Sequence, residues 1–365
     1  MIYLAGFIFF FAVLQLLVAI ANLAFKQTFS KTKSTFNGLV SVLIPARNEE
    51  KNIGQLINDL QRQDYQNIEI IIFNDQSTDS TADIVEELAM LDSRITLIYS
   101  AGLPSGWLGK NFACHSLSKH AKGDFFLFLD ADVRISNDII INTITYSEKH
   151  RLSLLSIFPT QIMRKLGEKV TVPNMHYILL SLLPLPLVRL SKFPSLAAAN
   201  GQFMLFNSAK YLEIFPHELM KGEKVEDIEI ARYYKSKSLK IGCLTGFDTI
   251  KCRMYEGFNA AVNGFSKNVI NFFGNSFGAA IIFWLVTTFG FLFVFVSLSS
   301  SFLILYLLVI FMTRIFISIT SKQIILQNLI LLIPEQIALG LFIYKAILNK
   351  INKQHEWKGR NISLH

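Results

Sequence analysis

The stretch FFLFLDAD, residues 125–132, decides the fold class of this 365-residue chain. Its five apolar residues have the length and composition of a buried strand, and an aspartate pair follows directly. Other apolar runs of strand length alternate along the chain with polar, helix-like segments. The runs are 39–44, 68–73, 95–99 and 152–158, and the segments are 48–61, 79–91, 110–121 and 137–150. This alternation predicts an α/β fold with a doubly wound, mostly parallel sheet covered by helices on both faces.

Carboxylates follow two of the predicted strands, where a parallel sheet binds its ligands. Asp75 comes shortly after run 68–73, and Asp130 and Asp132 come directly after 125–129. An aspartate pair can hold Mg²⁺ or Mn²⁺ together with the phosphate oxygens of a nucleoside diphosphate. Alone, such a pair is more often a solvated turn, but its place at the mouth of a sheet favours the metal. The carboxylate of Asp75 can accept a hydrogen bond from a uracil ring or a ribose.

Two further segments have residues suited to group transfer. In 104–111, Gly109 permits close backbone approach and Lys110 opens a helix. The positive N-terminus of that helix and the Lys110 ammonium can both face phosphate or sugar oxygens. An ordinary N-terminal turn is the alternative. Glu226 and Asp227 open another helix, where acidic residues are usually structural. A hydroxyl that attacks an anomeric carbon nevertheless requires a general base, and Asp227 is our candidate.

The composition predicts a membrane protein. Hydrophobic residues make up 52% and charged residues 17% of the chain, and the mean hydropathy is +0.40. Residues 1–25 lack acidic and basic side chains and are expected to be a transmembrane anchor. Lysines at 26, 31 and 33 place the following residues in the cytoplasm. A second uncharged block, 268–313, is long enough for two crossings divided near 297–301.

The last apolar segment, 324–344, leaves the topology open, because Pro334 and Glu335 stand at its centre. A full crossing would put the basic tail, 348–365, outside, against the positive-inside rule. A re-entrant hairpin broken at Pro334 would return that tail to the cytoplasm. The membrane block therefore has about three transmembrane or re-entrant helices within 277–347. We expect a multi-pass protein of the cell (inner) membrane.

The catalytic domain is expected at 39–266, in the cytoplasm. Within it, 170–190 is apolar but contains three prolines, so a straight spanning helix is not expected. That segment is an interfacial helix or part of an acceptor groove, and the alternative is a buried connector.

The net charge of +8 and the three cysteines complete the composition. In a membrane protein, excess Lys and Arg indicate anionic lipid and positive-inside loops, so no nucleic-acid partner is expected. Cys114, Cys243 and Cys252 have no metal-ligand spacing and are expected to be reduced cytosolic thiols. Arg253 and Lys267 lie just before the membrane block, where they could contact either a leaving diphosphate or lipid headgroups.

Five segments in order, 41–52, 74–81, 106–113, 128–133 and 225–227, resemble the inverting glycosyltransferases of family 2, which have the GT-A fold. Three further features are more particular: the loop 104–110 with Trp107, the polytopic C-terminal block, and residues 356–360. These resemble the membrane-bound branch of carotenoid-acid (diaponeurosporenoate-type) and hopene-associated glycosyltransferases. The Gln-x-x-Arg-Trp signature of processive polysaccharide synthases is not found near Arg253, which favours one sugar per acceptor.

The resemblance implies a role for each matching residue. The nucleotide pocket would be lined by Pro45, Arg47 and Glu49, with Asp75 on the uracil or ribose. Lys110 would lie near the donor. Asp130 would contact ribose and metal, and Asp132 would be the direct metal ligand. Asp227 would be the base, and Arg253, Lys267 and Trp107 are possible diphosphate or acceptor contacts. Asn74 stands where a second aspartate is common, which puts some nucleotide contacts in doubt.

The expected activity is transfer of one sugar from a nucleotide-diphosphate sugar, a UDP-sugar first of all, to a membrane lipid or isoprenoid acceptor. An acceptor that attacks through a carboxylate would hardly need a base, which would weaken the assignment of Asp227. Two alternatives stay open: an inactive GT-A-fold membrane protein that binds or assembles partners, and a glycosyltransferase of polysaccharide assembly.

Overall fold

The computed structural model describes residues 1–29 and 35–352, together with the backbone of two short strands near the C-terminus. Lys31, Lys33 and most of the predicted basic tail, 348–365, lie outside the described residues. The described part divides into two compact units. One contains Gln27–Thr160, Leu187–Cys252 and the described part of Glu356–His365, and we call it the sheet unit. The other contains Met1–Lys26, Gln161–Pro186 and the described part of Arg253–His355, and we call it the helical unit.

The strands are β1 Val40–Ala46, β2 Ile68–Asn74, β3 Ile95–Tyr99, β4 Phe125–Leu129, β5 Val133–Ile135, β6 Leu154–Phe158, β7 Thr160–Gln161, β8 Phe203–Asn207, β9 Ile241–Thr245, β10 Ile250–Cys252, β11 Glu356–Trp357 and β12 Arg360–Asn361. The helices are α1 Ile2–Ala24, α2 Ile53–Gln61, α3 Thr81–Leu91, α4 Gly109–His120, α5 Ile139–His150, α6 Leu166–Thr171, α7 Pro173–Leu182, α8 Leu185–Leu190, α9 Ser208–Ile214, α10 Pro216–Leu219, α11 Glu226–Ser236, α12 Phe258–Asn268, α13 Phe277–Ser297, α14 Ser300–Thr320, α15 Ile325–Ile330 and α16 Leu332–Ile351. Single 3₁₀ turns cover Pro194–Leu196 and Val269–Phe273.

The sheet unit is built on a seven-stranded sheet in the order β3-β2-β1-β4-β8-β6-β9. Strands β3, β2, β1 and β4 are parallel, as are β6 and β9, and only β8 runs against its neighbours. Both faces are covered. On one face Leu56 of α2 and Ile144 of α5 join the core formed by the sheet. On the other face Phe73 packs on Phe112 of α4, with ring centroids 5.8 Å apart. The predicted doubly wound α/β sheet is thereby confirmed.

The sequence pattern misplaced the beginning of α2 and missed strand β8. The predicted helix 48–61 begins at Ile53, because Asn48 adopts a left-handed conformation with φ of 53°. Asn48 instead accepts a hydrogen bond from the Thr78 backbone N–H at 2.9 Å. Strand β8 was missed because it lies outside the regular alternation of strand and helix. It nevertheless occupies the centre of the sheet, between β4 and β6.

The helical unit contains, among the described residues, four helices long and apolar enough to cross a membrane: α1, α13, α14 and α16. The division of the uncharged block at 297–301 is confirmed by α13 and α14. Segment 170–190 forms three short helices, α6 to α8, with breaks next to Pro173 and Pro184. The predicted catalytic segment 39–266 is divided, since 161–186 and 253–266 cluster with the membrane helices.

Helix α16 runs antiparallel to α13. At one end the Lys350 ammonium lies 4.7 Å from the Phe277 ring centroid. Further along, the Trp284 indole donates to the Gln336 carbonyl at 2.9 Å. Because α13 and α14 form a hairpin, α14 and α16 are parallel, and Arg314 pairs with Glu335 at 2.6 Å.

The connection between α14 and α16 folds back along α14. Asn328 in this connection donates to the Ser318 hydroxyl at 2.9 Å. Because α14 and α16 run in the same direction and the connection turns back beside α14, both helices finish at the same end of the bundle. The Lys26 ammonium bonds the Thr320 carbonyl at 3.0 Å, so α1 also ends there. This geometry favours the re-entrant alternative over a fourth complete crossing.

We therefore expect position 352, after α16, to lie on the opposite side of the membrane from position 299, between α13 and α14. The three native cysteines are buried and give a low labelling background. In intact cells a membrane-impermeant maleimide should label Ser299→Cys, and should label Asn352→Cys only after permeabilisation. Equal labelling of both variants in intact cells would support a fourth complete crossing instead.

Candidate active site

Polar residues converge at the edge of the sheet where β1, β2 and β4 end, because parallel strands place their carboxyl ends together. The ends of β1 and β2 are held in register, since the Asp75 backbone N–H donates to the Ala46 carbonyl at 2.8 Å. Asp75 has only 2% of its surface exposed. The Arg47 guanidinium donates to the Asp75 carbonyl at 2.6 Å. The predicted nucleotide residues Pro45, Arg47 and Asp75 thus lie within one small region.

Glu49 belongs to the same edge. Its carboxylate accepts a hydrogen bond from the Asn52 side chain at 2.8 Å. Its backbone N–H donates to the Thr81 hydroxyl at 2.8 Å, which joins the loop after β1 to the first turn of α3. The turn after β2 closes on itself, because the Ser77 backbone N–H donates to the Asn74 side chain at 3.0 Å.

Lys110 stands at the centre of the acidic residues. Its ammonium lies 2.8 Å from one Asp130 carboxylate oxygen and 3.1 Å from the other. It also lies 3.6 Å from the Glu226 carboxylate and bonds the Gly201 carbonyl at 3.3 Å. Burial alone would lower the pKa of Lys110, but the two carboxylates outweigh burial and raise it well above the ordinary value. The ammonium is therefore a permanent positive charge at this edge.

Asp132 is a carboxylate in an unfavourable setting. Burial, and then the charges of Asp130 and Glu49, raise its pKa above the ordinary range of aspartate. One of its oxygens, Oδ1, is buried and has no hydrogen-bond partner among the described residues. A bound cation would satisfy this oxygen and offset the acidic charges. The described residues contain no group of three or more His, Cys, Asp or Glu side chains that could hold a metal. A Mg²⁺ or Mn²⁺ site of two carboxylates completed by phosphate oxygens fits these residues.

Asp227 and Glu226 occupy the first turn of α11. The two Asp227 oxygens accept backbone N–H bonds, from Gly201 at 2.8 Å and from Ile228 at 2.8 Å. Burial raises the pKa of Asp227 and also that of its neighbour Glu226. A carboxylate with a raised pKa and a fixed orientation is a suitable general base. Glu226 is instead turned to Lys110.

Gly201 contacts both Lys110 and Asp227, and its role was not predicted from the sequence. A side chain at this position would begin 2.9 Å from the Lys110 ammonium, 3.3 Å from Glu226 and 3.5 Å from Asp227. The position therefore requires the absence of a side chain. The only sequence signal is Asn200-Gly201-Gln202, a polar triplet immediately before the apolar strand β8.

We expect Gly201→Ala to lower the rate of sugar transfer by roughly 10- to 100-fold, because the new methyl group displaces Lys110 from Asp130. The cost in folding free energy should not exceed about 1–3 kcal/mol, since the Lys110 side chain is flexible. Gly242→Ala is a matched control: its methyl group would also meet a side-chain atom at 2.9 Å, that of Leu152 in the core. Equal losses of activity in both variants would mean that crowding alone explains the effect.

The loop that contains Trp107 is tied to the segment before α11. Asn111, only 1% exposed, donates to the Met220 carbonyl at 2.7 Å and to the Glu223 carbonyl at 2.9 Å. Trp107 packs against His115, with ring centroids 5.1 Å apart and the ring planes tilted by 34°. Burial lowers the pKa of His115, which favours its neutral form. Asn111, whose role was not predicted, therefore connects the start of α4, with Lys110, to the segment that leads into Asp227.

Two of the three predicted diphosphate or acceptor contacts, Arg253 and Lys267, belong to the helical unit. The Arg253 guanidinium pairs with Glu168 at 2.7 Å and with Glu256 at 3.2 Å. Glu168 is fully buried and also accepts the Gly257 backbone N–H at 3.1 Å, so this cluster joins α6 to the start of α12. Lys267 lies in the last turn of α12. Their contact with a diphosphate stays a prediction.

Comparison with known proteins shows which glycosyltransferases this chain is similar to. Residues 41–215 match the model of glycosyl transferase family 2. A 4,4'-diaponeurosporenoate glycosyltransferase of Staphylococcus haemolyticus is 27% identical over 233 residues, which are 63% of this chain and 60% of that protein. One from Staphylococcus aureus is 27% identical over 362 residues, with 93% of this chain and 92% of that protein covered.

The fold also has a solved counterpart. The mannosyltransferase PcManGT from Pyrobaculum calidifontis, solved in complex with GDP-Man and Mn²⁺, superposes with a TM-score of 0.58. Sequence identity is 15%, and the match covers 95% of this chain and 99% of that one. At this identity the likeness concerns the fold, which is of the GT-A type. Taken with the match of residues 41–215, it leads to one conclusion: this chain has a GT-A fold, and from β1 to α9 it is similar to the glycosyl transferases of family 2.

Proposed function

We propose that this chain is an inverting glycosyltransferase of the cell membrane. It moves one sugar from a nucleoside-diphosphate sugar, with a UDP-sugar as the expected donor, onto a lipid or isoprenoid acceptor held in the bilayer. The sheet unit faces the cytoplasm, where nucleotide sugars are available. The lysine at 26, which follows α1, supports this orientation.

A single observation carries the proposal: Lys110 lies among Asp130, Glu226 and the Gly201 carbonyl, and Asp227 is bonded to the Gly201 N–H. These groups come from four separate segments of the chain. A cation beside a carboxylate pair suits a diphosphate, since the ammonium can compensate the charge of the leaving group. The adjacent carboxylate supplies the base that the acceptor needs.

Asp130 and Asp132 would hold the divalent cation, which fits the unpartnered Asp132 oxygen. When bound, Mg²⁺ or Mn²⁺ neutralises charge on the diphosphate as the sugar leaves. Asp75 would bind the uracil or ribose, with Pro45, Arg47 and Glu49 around it. Asp75 is already oriented by the loop that Arg47 closes, so little ordering is required when the donor binds.

The transfer step uses Asp227. Its carboxylate takes the proton of an acceptor hydroxyl while the acceptor oxygen bonds to the anomeric carbon. The bond from that carbon to the diphosphate breaks, and the electron pair leaves with the nucleoside diphosphate. Attack from the face opposite the leaving group inverts the configuration. An acceptor carboxylate would attack without transferring a proton.

The acceptor is proposed to be apolar. The four helices suited to a membrane within residues 1–29 and 35–352 support a lipid-soluble substrate. The Staphylococcus relatives are named for diaponeurosporenoate, a carotenoid-type acid, so an isoprenoid acid is the first acceptor to test. A carotenoid acid and a lipid alcohol differ in one respect that matters here, because only the alcohol needs Asp227 to remove a proton.

The test measures nucleoside diphosphate released by the detergent-solubilised protein. A panel of UDP-, GDP- and TDP-sugars is supplied with Mn²⁺ or Mg²⁺, with and without membrane lipid extract or a carotenoid acid. Release that requires one donor, a metal and an apolar acceptor would support the proposal. Product size then separates one added sugar from a polysaccharide. No release with any donor and acceptor would favour an inactive membrane assembly protein.

A further inference from the structure

Two buried side chains outside the predicted site, Gln202 and Cys252, lie against the Asp130–Asp132 segment. Gln202 is 6% exposed and Cys252 has no exposed surface. The Gln202 side-chain amide donates to the Cys252 sulfur at 2.8 Å, and the Cys252 thiol lies within hydrogen-bonding reach of the Asp132 carboxylate.

The backbone holds this chain of contacts in place from both sides. Strand β10 pairs antiparallel with β5, and the register sets Cys252 opposite Val133, the residue after Asp132. The Gln202 carbonyl accepts the Asp130 backbone N–H at 3.2 Å. Gln202 therefore contacts one aspartate of the pair through its backbone and reaches the other through Cys252.

We propose that Gln202 and Cys252 are positioning residues that orient the Asp132 carboxylate toward a divalent cation. The inference rests on the proposed function, in which Asp132 is a metal ligand. It adds two residues for which the metal-binding pattern of the sequence provides no signal, since neither is acidic.

The directions of the hydrogen bonds support this role. Because the Gln202 amide donates to the sulfur, the sulfur acts as an acceptor there, and the thiol proton is directed to Asp132. The thiol bond restricts the rotation of the carboxylate. The other oxygen, Oδ1, has no partner in the part of the chain that the structure describes and is left for the cation. Hydrogen bonds that orient a ligating carboxylate typically change metal affinity by about 10- to 100-fold when they are removed.

A second buried thiol provides a matched control. Cys243 is 1% exposed and lies in β9 of the same unit. It is not among the groups that act on Asp132. Replacing it with alanine removes the same buried sulfur without changing the environment of the proposed metal ligand.

The experiment titrates Mn²⁺ into the full-length, detergent-solubilised protein by electron paramagnetic resonance, with UDP or GDP present and no sugar. Cys252→Ala should weaken Mn²⁺ binding about 10-fold or more. Cys252→Ser retains an O–H donor and should bind Mn²⁺ nearly as the native protein does. Cys243→Ala should leave the affinity unchanged. Native-like Mn²⁺ binding by a folded Cys252→Ala would overturn the inference, as would an equal loss in Cys243→Ala.

Folding is followed by thermal unfolding of each variant. Should Cys252→Ala not fold, Gln202→Met replaces it, because methionine keeps the size of the side chain but cannot donate to the sulfur. Gln202→Met should weaken Mn²⁺ binding, and native affinity in that variant would overturn the inference. A native protein that binds no Mn²⁺ with either nucleotide would overturn this inference and the metal role of Asp132 together. If the protein releases nucleotide in a donor-dependent way but binds no Mn²⁺, the proposed transfer activity stands and the proposed role of the metal in it is wrong.

Discussion

The Asp227→Asn variant is expected to transfer sugar to a hydroxyl acceptor about 10²- to 10⁴-fold more slowly than the native protein. The amide cannot take the acceptor proton, whereas the carboxylate can. Donor binding should be nearly unchanged, since Lys110 and the strand-end aspartates are untouched. The measurement is the single-turnover rate of transfer, beside calorimetric titration with the nucleoside diphosphate.

Two comparisons make this prediction specific. Glu229→Gln is the matched control, because Glu229 also lies in the first turn of α11 but pairs with Arg232 at 2.6 Å. It should transfer sugar at close to the native rate. A carboxylate acceptor should be glycosylated by Asp227→Asn without the large loss. Near-normal transfer to a hydroxyl by Asp227→Asn, combined with an inactive Glu226→Gln, would move the role of base to Glu226.

The asparagine also affects the protein itself. Both Asp227 oxygens accept backbone N–H bonds, and an amide can accept only one of them well. The loss should lower the free energy of unfolding by about 1–3 kcal/mol. Thermal unfolding therefore accompanies the kinetics, so that a slow but folded variant is distinguished from a partly unfolded one.

The Asp132→Ala variant should lose metal-dependent transfer by about 10³-fold or more, because a bound cation supplies several kcal/mol of charge stabilisation to the leaving diphosphate. Nucleoside diphosphate release with and without Mn²⁺ measures the loss. Asp59→Ala is a control for removal of a buried aspartate, since Asp59 is 8% exposed and pairs with Arg134 at 2.6 Å. It should destabilise the protein and retain the response to metal. A native response to Mn²⁺ in Asp132→Ala would refute the assignment.

A stability measurement separates a metal ligand from a structural carboxylate. Burial and neighbouring charges raise the pKa of Asp132 in the folded protein. The unfolded chain releases this proton near pH 4, the ordinary value for aspartate, and the folded chain releases it at higher pH. Stability therefore falls as pH rises from about 4 to the folded pKa, and it stays lower above that value. In metal-free buffer at pH 8, Asp132→Asn should unfold at a higher temperature than the native protein, with a difference that shrinks toward pH 4.

Local sequence was sufficient wherever the signal lay within one short segment. Apolar runs such as 125–129 predicted the parallel strands, because a strand buried on both faces must be apolar throughout. The uncharged block predicted α13 and α14 for a similar reason. Of the site, Lys110, Asp130 and Asp227 follow strand or helix boundaries that are visible in the sequence. The structure brings Lys110 and Asp130 together and links both to Asp227 through Gly201.

Other features could not be predicted, because they depend on segments far apart in the chain. Strand β8 enters the centre of the sheet from a region without regular alternation. Gly201 matters only because folding brings Lys110, Glu226 and Asp227 around it. Cys252 contacts Asp132 through the pairing of β10 with β5, across 120 residues. Arg253 pairs with Glu168, a contact that no local pattern indicates.

The sequence by itself therefore determined the fold class and the long apolar helices, and it predicted the ionisable groups of the candidate site, since each depends on local hydrophobicity and on residues at the ends of elements. The tertiary structure decided which of these groups lie together, which oxygen of Asp132 lacks a partner, and at which end of its bundle α16 finishes. These outcomes depend on pairing and packing between distant segments, whose energies no single stretch of sequence contains.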